Sequence, residues 1–279
     1  MGKKAALYNL EICLRAALSI RKNQRRLARQ QSGIRDIFLC LVDHFEPSVG
    51  QPPRSLARER MEHWMMRYPE IADRHRDADG RPPAHSFFYP WDEYDPWEFS
   101  GLKEICSAGF GEVELHLHHH DDTDATLRKK LREAVSTYHR QGMLPSWADD
   151  RPAFAFIHGN WALDNSRQEN GQNFCGVNNE LQVLKEEGCY ADFTFPAWQH
   201  FAQPRQTNSL FYAIDNPNLP KSYDTGKPIR AGIDSTGDMP MIQGPLVPFF
   251  AKKGGKMRLA MDDGDIASYR RYTPERLDL

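Results

Sequence analysis

A chain of 279 residues holds enough apolar material for a core that needs no disulfide or structural metal. A formal net charge of −2 excludes a global field that would favour nucleic acid. Mean hydropathy is −0.68, and no apolar run approaches the roughly 20 residues of a membrane span. The five cysteines, Cys13, Cys40, Cys106, Cys175 and Cys189, are odd in number, scattered and without a CxxC pair, which points to reduced thiols in a cytoplasmic protein.

Residues 1–31 predict a basic amphipathic helix. Glu11 and Arg15 interrupt the apolar run that a cleaved signal peptide needs, and Ala6 stands where a myristoylation signal has Ser or Thr. Leu7, Leu10, Leu14, Leu18 and Ile20 fall near helical spacing, and Arg21 to Arg29 is strongly basic. Two readings stay open: a helix packed on the domain with a solvated basic end, or peripheral attachment to an acidic membrane surface.

Residues 32–279 read as one α/β domain without repeats or an obvious linker. The run "IFLCLV", 37–42, predicts a strand covered on both faces, with Cys40 packed inside it. A helix follows over 54–76, and then a second strand, "HSFFYP", over 85–90. "GLKEICSAGF" predicts a short helix closed at Gly109. The third strand is "GEVELHL", and residues 124–141 predict a helix with Asp124 as N-cap and Gly142 as its stop. "AFAFIH", 153–158, a helix over 177–187 and "ADFTFP", 191–196, continue the alternation. Strands alternating with helices imply right-handed βαβ units and a mainly parallel sheet. "PLVPFFAKKGGKMRLAMDDG" predicts a C-terminal hairpin turning at Gly254-Gly255. The acidic "DDGD" at 262–265 lacks the rest of a calcium loop and reads as a turn.

Four of the predicted strands end in polar or histidine-bearing segments. These are Asp43-His44, Trp91-Asp92-Glu93, His116 to His120, and His158-Gly159-Asn160. Parallel strands bring such ends to one side, where α/β proteins place their ligands.

The order of these segments resembles the polysaccharide deacetylase family, the NodB-homology carbohydrate esterases, over roughly residues 35–197. "LCLVDHFEP" stands where the family has an apolar strand ending in two aspartates. "HSFFYP" is similar to its aromatic strand, "EVELHLHHHDD" to its H-x-x-x-H strand, and "GVNNELQVLKEEGCYADFTFP" to its later helix, glycine and strand. The resemblance implies a NodB-like deformed (β/α) barrel and a metal-dependent hydrolase that removes acetyl groups from an N- or O-acetylated glycan. It implies Asp43 as general base and a divalent metal held by His44, His116 and His120. Three imidazoles suit zinc better than magnesium. The chain departs from the pattern in three ways. His44 replaces an aspartate ligand, "IHGNWALDN" stands where Arg-Pro-Pro-Tyr is usual, and no late strand ends in the histidine that serves as acid. The acid is then supplied differently, lies beyond Leu279, or is lost.

Around that core, His158 is a candidate acid, and Asn160, Trp161, Trp91 and Glu93 are candidate substrate contacts, with Glu46 a carboxylate in reserve. His116 and His118 also share a strand face and form an HxH pair like that of amidohydrolase barrels. His119 faces the other way and reads as a bystander, and Asp43 also reads as a cap on the following loop. The leading expectation is therefore a metal-dependent glycan deacetylase. The alternatives are an amidohydrolase- or glycosidase-type barrel and a non-catalytic glycan-binding protein. A glycan is the expected partner, nucleic acid is not, and the oligomeric state stays open.

Overall fold

A computed structural model describes residues 3–29, 36–198, 200–234 and 236–264. In chain order it contains α1 (Lys3–Ala28), β1 (Leu41–His44), α2 (Arg54–Ala72), β2 (His85–Pro90), α3 (Pro96–Ser107), β3 (Gly111–Leu117), α4 (Asp124–Arg140) and β4 (Phe154–His158). A small hairpin of β5 (Gln168–Glu169) and β6 (Gln172–Asn173) follows, and then α5 (Glu180–Glu186) and β7 (Cys189–Asp192). The remainder is β8 (Phe211–Ala213), β9 (Gly226–Pro228), β10 (Met239–Met241), β11 (Val247–Lys253) and β12 (Lys256–Asp262). A mainly parallel eight-stranded sheet has the order β1-β2-β3-β4-β7-β10-β8-β9. The chain divides into two compact units, Phe38–Asn160 with Val183–Ala191, and Met1–Ile37 with Trp161–Gln182 and Asp192–Leu279.

The first unit positions the candidate site. β1, β2, β3 and β4 pair in parallel and in sequence order. No reversal of order creates a crevice between them, so a ligand site is sought at their shared C-terminal ends. Trp64 of α2 packs against His85 and Phe87, and Phe99 of α3 and Tyr138 of α4 pack against Tyr89. These three β2 residues alternate onto one face, so all three helices lie on that face. α4 gets there because Leu127, Leu131, Ala134, Val135 and Tyr138 form a buried stripe at helical spacing.

Helix starts follow local capping. Asp95 caps α3 by accepting from the backbone N–H groups of Trp97 and Glu98, with Pro96 in the first turn. The N-cap of α4 is Thr123 rather than Asp124, and it forms a reciprocal capping box with Thr126.

The predicted strand over 37–42 is displaced. Only Leu41–His44 is strand, and Ile37, Phe38 and Leu39 are exposed at 84%, 89% and 82%. Cys40 is likewise exposed rather than packed. β1 is the outer strand of the sheet and its partner strand begins only opposite Leu41, so the preceding apolar residues have nothing to pair with. The predicted strand over 191–196 also shifts, ending at Asp192, and the helix over 177–187 shortens to Glu180–Glu186.

In the other unit, α1 buries Tyr8, Ile12, Cys13 and Ala16 in one cluster with Leu246 and Met261. β10 pairs with Asp192 in parallel and with β8 antiparallel, and β9 follows β8. β11 and β12 form the predicted hairpin around Gly254 and Gly255, both at positive φ. Among the described residues no helix is long and apolar enough to cross a membrane.

Candidate metal centre

Strand parity selects the site. Past the end of β1, Phe45 is buried against Phe87 and Trp64 on the helix-covered face. Alternation therefore turns His44 and Glu46 to the opposite face. In β3 the register aligns His116 with Pro90 of β2 and Ile157 of β4, and His118 continues the same parity. Four side chains converge as a result. Glu46 Oε1 lies 3.0 Å from His116 Nε2, 3.5 Å from His118 Nε2 and 3.8 Å from His44 Nδ1. The two Nε2 atoms of His116 and His118 are 3.3 Å apart. The His44 and His116 rings meet edge-on, with centroids 4.8 Å apart.

His118 is held from behind. Asp92 Oδ1 accepts from the His118 backbone N–H at 2.8 Å, and Asp92 Oδ2 lies 3.1 Å from His118 Nδ1. This carboxylate fixes the ring and leaves Nε2 turned to Glu46 and His116. Gly159 completes the seat, because a Cβ there would stand 2.3 Å from His118 Cδ2 and 2.6 Å from Nε2. The glycine after β4 is thus a matter of space and not of backbone conformation.

The protonation states follow from burial and charge. Burial pushes His116 down to about 4, against the pull of Glu46, so it is neutral. Burial also pulls His118 down, but Asp92 and then Glu46 outweigh it and raise it to about 10. Burial would raise Glu46, yet its contacts with His116, His118 and His44 hold it well below the ordinary carboxylate range. Glu93, next to Asp92, is raised by burial and by the charges of Glu46 and Asp92. Its Oε2 is buried and has no hydrogen-bond partner among the described residues.

The donor set fits a divalent cation. Donors on a tetrahedral zinc, each about 2.0–2.2 Å from the ion, lie about 3.3–3.6 Å apart. Glu46 Oε1, His116 Nε2 and His118 Nε2 are separated by 3.0, 3.3 and 3.5 Å. His44, Glu46 and His116 form one group of ligand atoms within 4.8 Å of one another, and Asp92, Glu93 and His118 form a second.

The expected trio of His44, His116 and His120 is not assembled. β3 ends at Leu117, three residues before His120, and the His120 side chain is 62% exposed and faces Asp121 at 3.3 Å. Asp43, the expected base, has the parity of Phe45. Its carboxylate turns towards His85, 3.7 Å away, on the helix-covered face.

His158, the expected acid, pairs in register with Leu117, so it too points away from the His116 side. It is fully buried, accepts from the Asn160 N–H at 3.2 Å and lies against His119 with ring centroids 4.3 Å apart. Burial holds it well below the usual histidine range, and a neutral buried ring is a poor proton donor. His119 lies on the side away from His118, against His158. It is buried and its Nδ1 faces Asp122 at 3.0 Å, while Lys130 donates to the same carboxylate at 2.7 Å. Asn160 donates to the His119 carbonyl at 3.0 Å, which makes it a support for this loop. Trp91 packs against Tyr94 and Tyr138, and Trp161 stacks on His200 at 5.3 Å between centroids. Of the expected site residues, the structure brings together His44 and His116 and places Glu93 beside Asp92. It also brings in Glu46, the carboxylate in reserve, His118 of the alternative HxH pair, and Asp92, for which the sequence suggested a place at a strand end but no role.

Comparison with protein families, with curated proteins and with solved structures finds no match for this chain. The functional reading therefore rests on the geometry.

Proposed function

We propose that this protein is a metal-dependent hydrolase whose centre is formed by His44, Glu46, His116 and His118. The observation that carries the reading is the spacing of the Glu46, His116 and His118 donor atoms, together with the Asp92 carboxylate behind His118. A carboxylate on the far nitrogen of a ligating histidine is the usual outer support of such sites. Imidazoles with one carboxylate suit zinc. A bound divalent cation would supply Lewis-acid polarisation of a carbonyl and acidify water beside it. The residues do the rest. Asp92 fixes the His118 tautomer, Glu46 supplies negative charge, and Glu93 offers for proton transfer a carboxyl oxygen that has no partner among the described residues.

The substrate class we infer is an acylated sugar, on the deacetylase resemblance of the motif order along β1, β2 and β3. Helices on a single face of the sequentially ordered strands support barrel-type winding of the NodB kind. A second reading, an amidohydrolase-type barrel acting on small amides, is favoured by one observation, the use of His118 in place of His120.

Metal analysis of the purified chain, with acetate release from an N-acetylated chitooligosaccharide, tests the proposal. About one tightly held divalent ion per chain and acetate release that stops on chelation are the expected results. Failure to bind zinc, manganese or nickel overturns the metal centre. Metal binding with hydrolysis of small amides and no acetate moves the protein to the second reading. Metal and glycan binding without any turnover makes it a binding protein.

A further inference from the structure

α1 carries two apolar stripes, and only one is covered. Tyr8, Ile12 and Ala16 are buried, and farther along the same side Ser19 Oγ donates to the Thr207 carbonyl at 2.8 Å and Asn23 Nδ2 to that of Asn208 at 3.2 Å. At about 100° per residue these five positions occupy one sector about 80° wide. Leu7, Leu10, Leu14 and Leu18 occupy the opposite sector and are 68%, 48%, 58% and 66% exposed. They line a shallow groove with Glu11 and Arg15.

The outward side also carries the charge. Of the 26 residues of α1, seven are Lys or Arg and one, Glu11, is acidic. Glu11 is matched by Arg15 at 2.8 Å and by Arg205 at 3.2 Å. Lys4, Arg21, Lys22 and Arg25 are exposed, and no carboxylate pairs with them among the described residues. On the helical projection all four fall within about 60° of Leu7, flanking or extending the leucine stripe. An apolar stripe flanked by unpaired cations is the pattern of a helix that lies in the plane of a membrane interface. A second copy of the chain fits less well, since pairing through the leucines would set these cations against their own kind.

We propose that this face of α1 docks on an anionic lipid bilayer, the leucines entering the headgroup boundary and the cations meeting lipid phosphates and carboxylates. The inference is independent of the metal centre.

Flotation of the whole chain with vesicles tests it. Vesicles of phosphatidylcholine with about 30 mol% phosphatidylserine should bind about tenfold or more tightly than phosphatidylcholine alone, and the gain should fall steeply with added salt. Leu14→Glu with Leu18→Glu, and separately Arg21→Gln with Lys22→Gln and Arg25→Gln, should each abolish most binding. Circular dichroism should show both variants folded, since every changed side chain is exposed. Should a variant unfold, the salt and lipid dependence of the unaltered chain still decides. Equal binding to neutral and anionic vesicles, or none to either, overturns the proposal. So does a dimer in light scattering that the leucine substitutions dissolve, because a second copy then covers the stripe.

Discussion

Asp92 grips His118 twice, through its backbone N–H at 2.8 Å and its ring Nδ1 at 3.1 Å. The double contact orients the ring and sets its charge. Asp92→Asn keeps an acceptor but removes the negative charge, so the fold should persist. Metal affinity should fall about 10–100-fold, the usual cost of losing such an outer partner. In metal-free protein, the His118 ring should titrate below its wild-type value of about 10. Unchanged metal affinity, by competition with a chromophoric chelator, would remove Asp92 from the centre.

His118 and His120 make a paired test. His118 Nε2 lies 3.3 Å from His116 Nε2, whereas the His120 side chain is 62% exposed beside Asp121. His118→Ala should lose most bound metal, and His120→Ala should keep it, as measured by metal content after gel filtration. The reverse pattern would restore the HxxxH reading.

Gly159→Ala asks whether space at the site matters. The added methyl would stand 2.3 Å from His118 Cδ2, far inside contact distance, so the ring must move. Metal affinity should drop as in His118→Ala while α4 and the core stay intact by circular dichroism. Wild-type affinity would mean that His118 is not a ligand.

Much of the frame was legible in the sequence, and the differences at the candidate site share one cause. β2, β3, α4 and the β11–β12 hairpin declared themselves through alternation, helical spacing and Gly-Gly turn chemistry. That polar side chains gather at the ends of β1 and β3 was also legible from the sequence. Which side chains meet was not, because it depends on parity carried beyond the strand ends. Reading Asp43-His44-Phe45-Glu46 and His116-Leu117-His118 as two alternating pairs would have found His44, Glu46, His116 and His118. The HxxxH spacing assumes that the chain stays extended to His120, whereas β3 ends at Leu117. Asp92 was placed at a strand end, but its role could not be read, since it depends on the neighbouring strand's register.

Asp43→Asn tests the parity directly. Asp43 faces His85 on the helix-covered side, not the donor cluster. The variant should keep its metal and lose less than about tenfold in hydrolysis, where removal of a general base typically costs about 10²–10⁴. A loss in that larger range with metal retained would return Asp43 to the role of base.

The last prediction concerns pH and Glu114, which shares the His116 face of β3. It is 3% exposed, accepts from the Ala155 N–H at 2.6 Å and is bonded by the Tyr190 hydroxyl. Burial raises its carboxyl from the ordinary 4.5 to about 8, against the lowering effect of Tyr190 and Ala155. The folded chain therefore keeps a proton that the unfolded chain releases near 4.5. The resulting stability is complete below pH 4.5, declines above it and is lost as pH rises through 8. At about 1.4 kcal/mol per pH unit, the effect is on the order of a few kcal/mol. Burial raises Asp164 and Asp192 to about 8 as well, so they add to the same decline. Glu114→Gln keeps an acceptor for Ala155 and gives Tyr190 an amide donor, without a charge to bury. Urea unfolding at about pH 6 and pH 9 should show a smaller loss of stability in the variant than in the wild type, with Asp164 and Asp192 leaving a residual slope. Parallel profiles for the two proteins would mean that Glu114 is already ionised in the folded state.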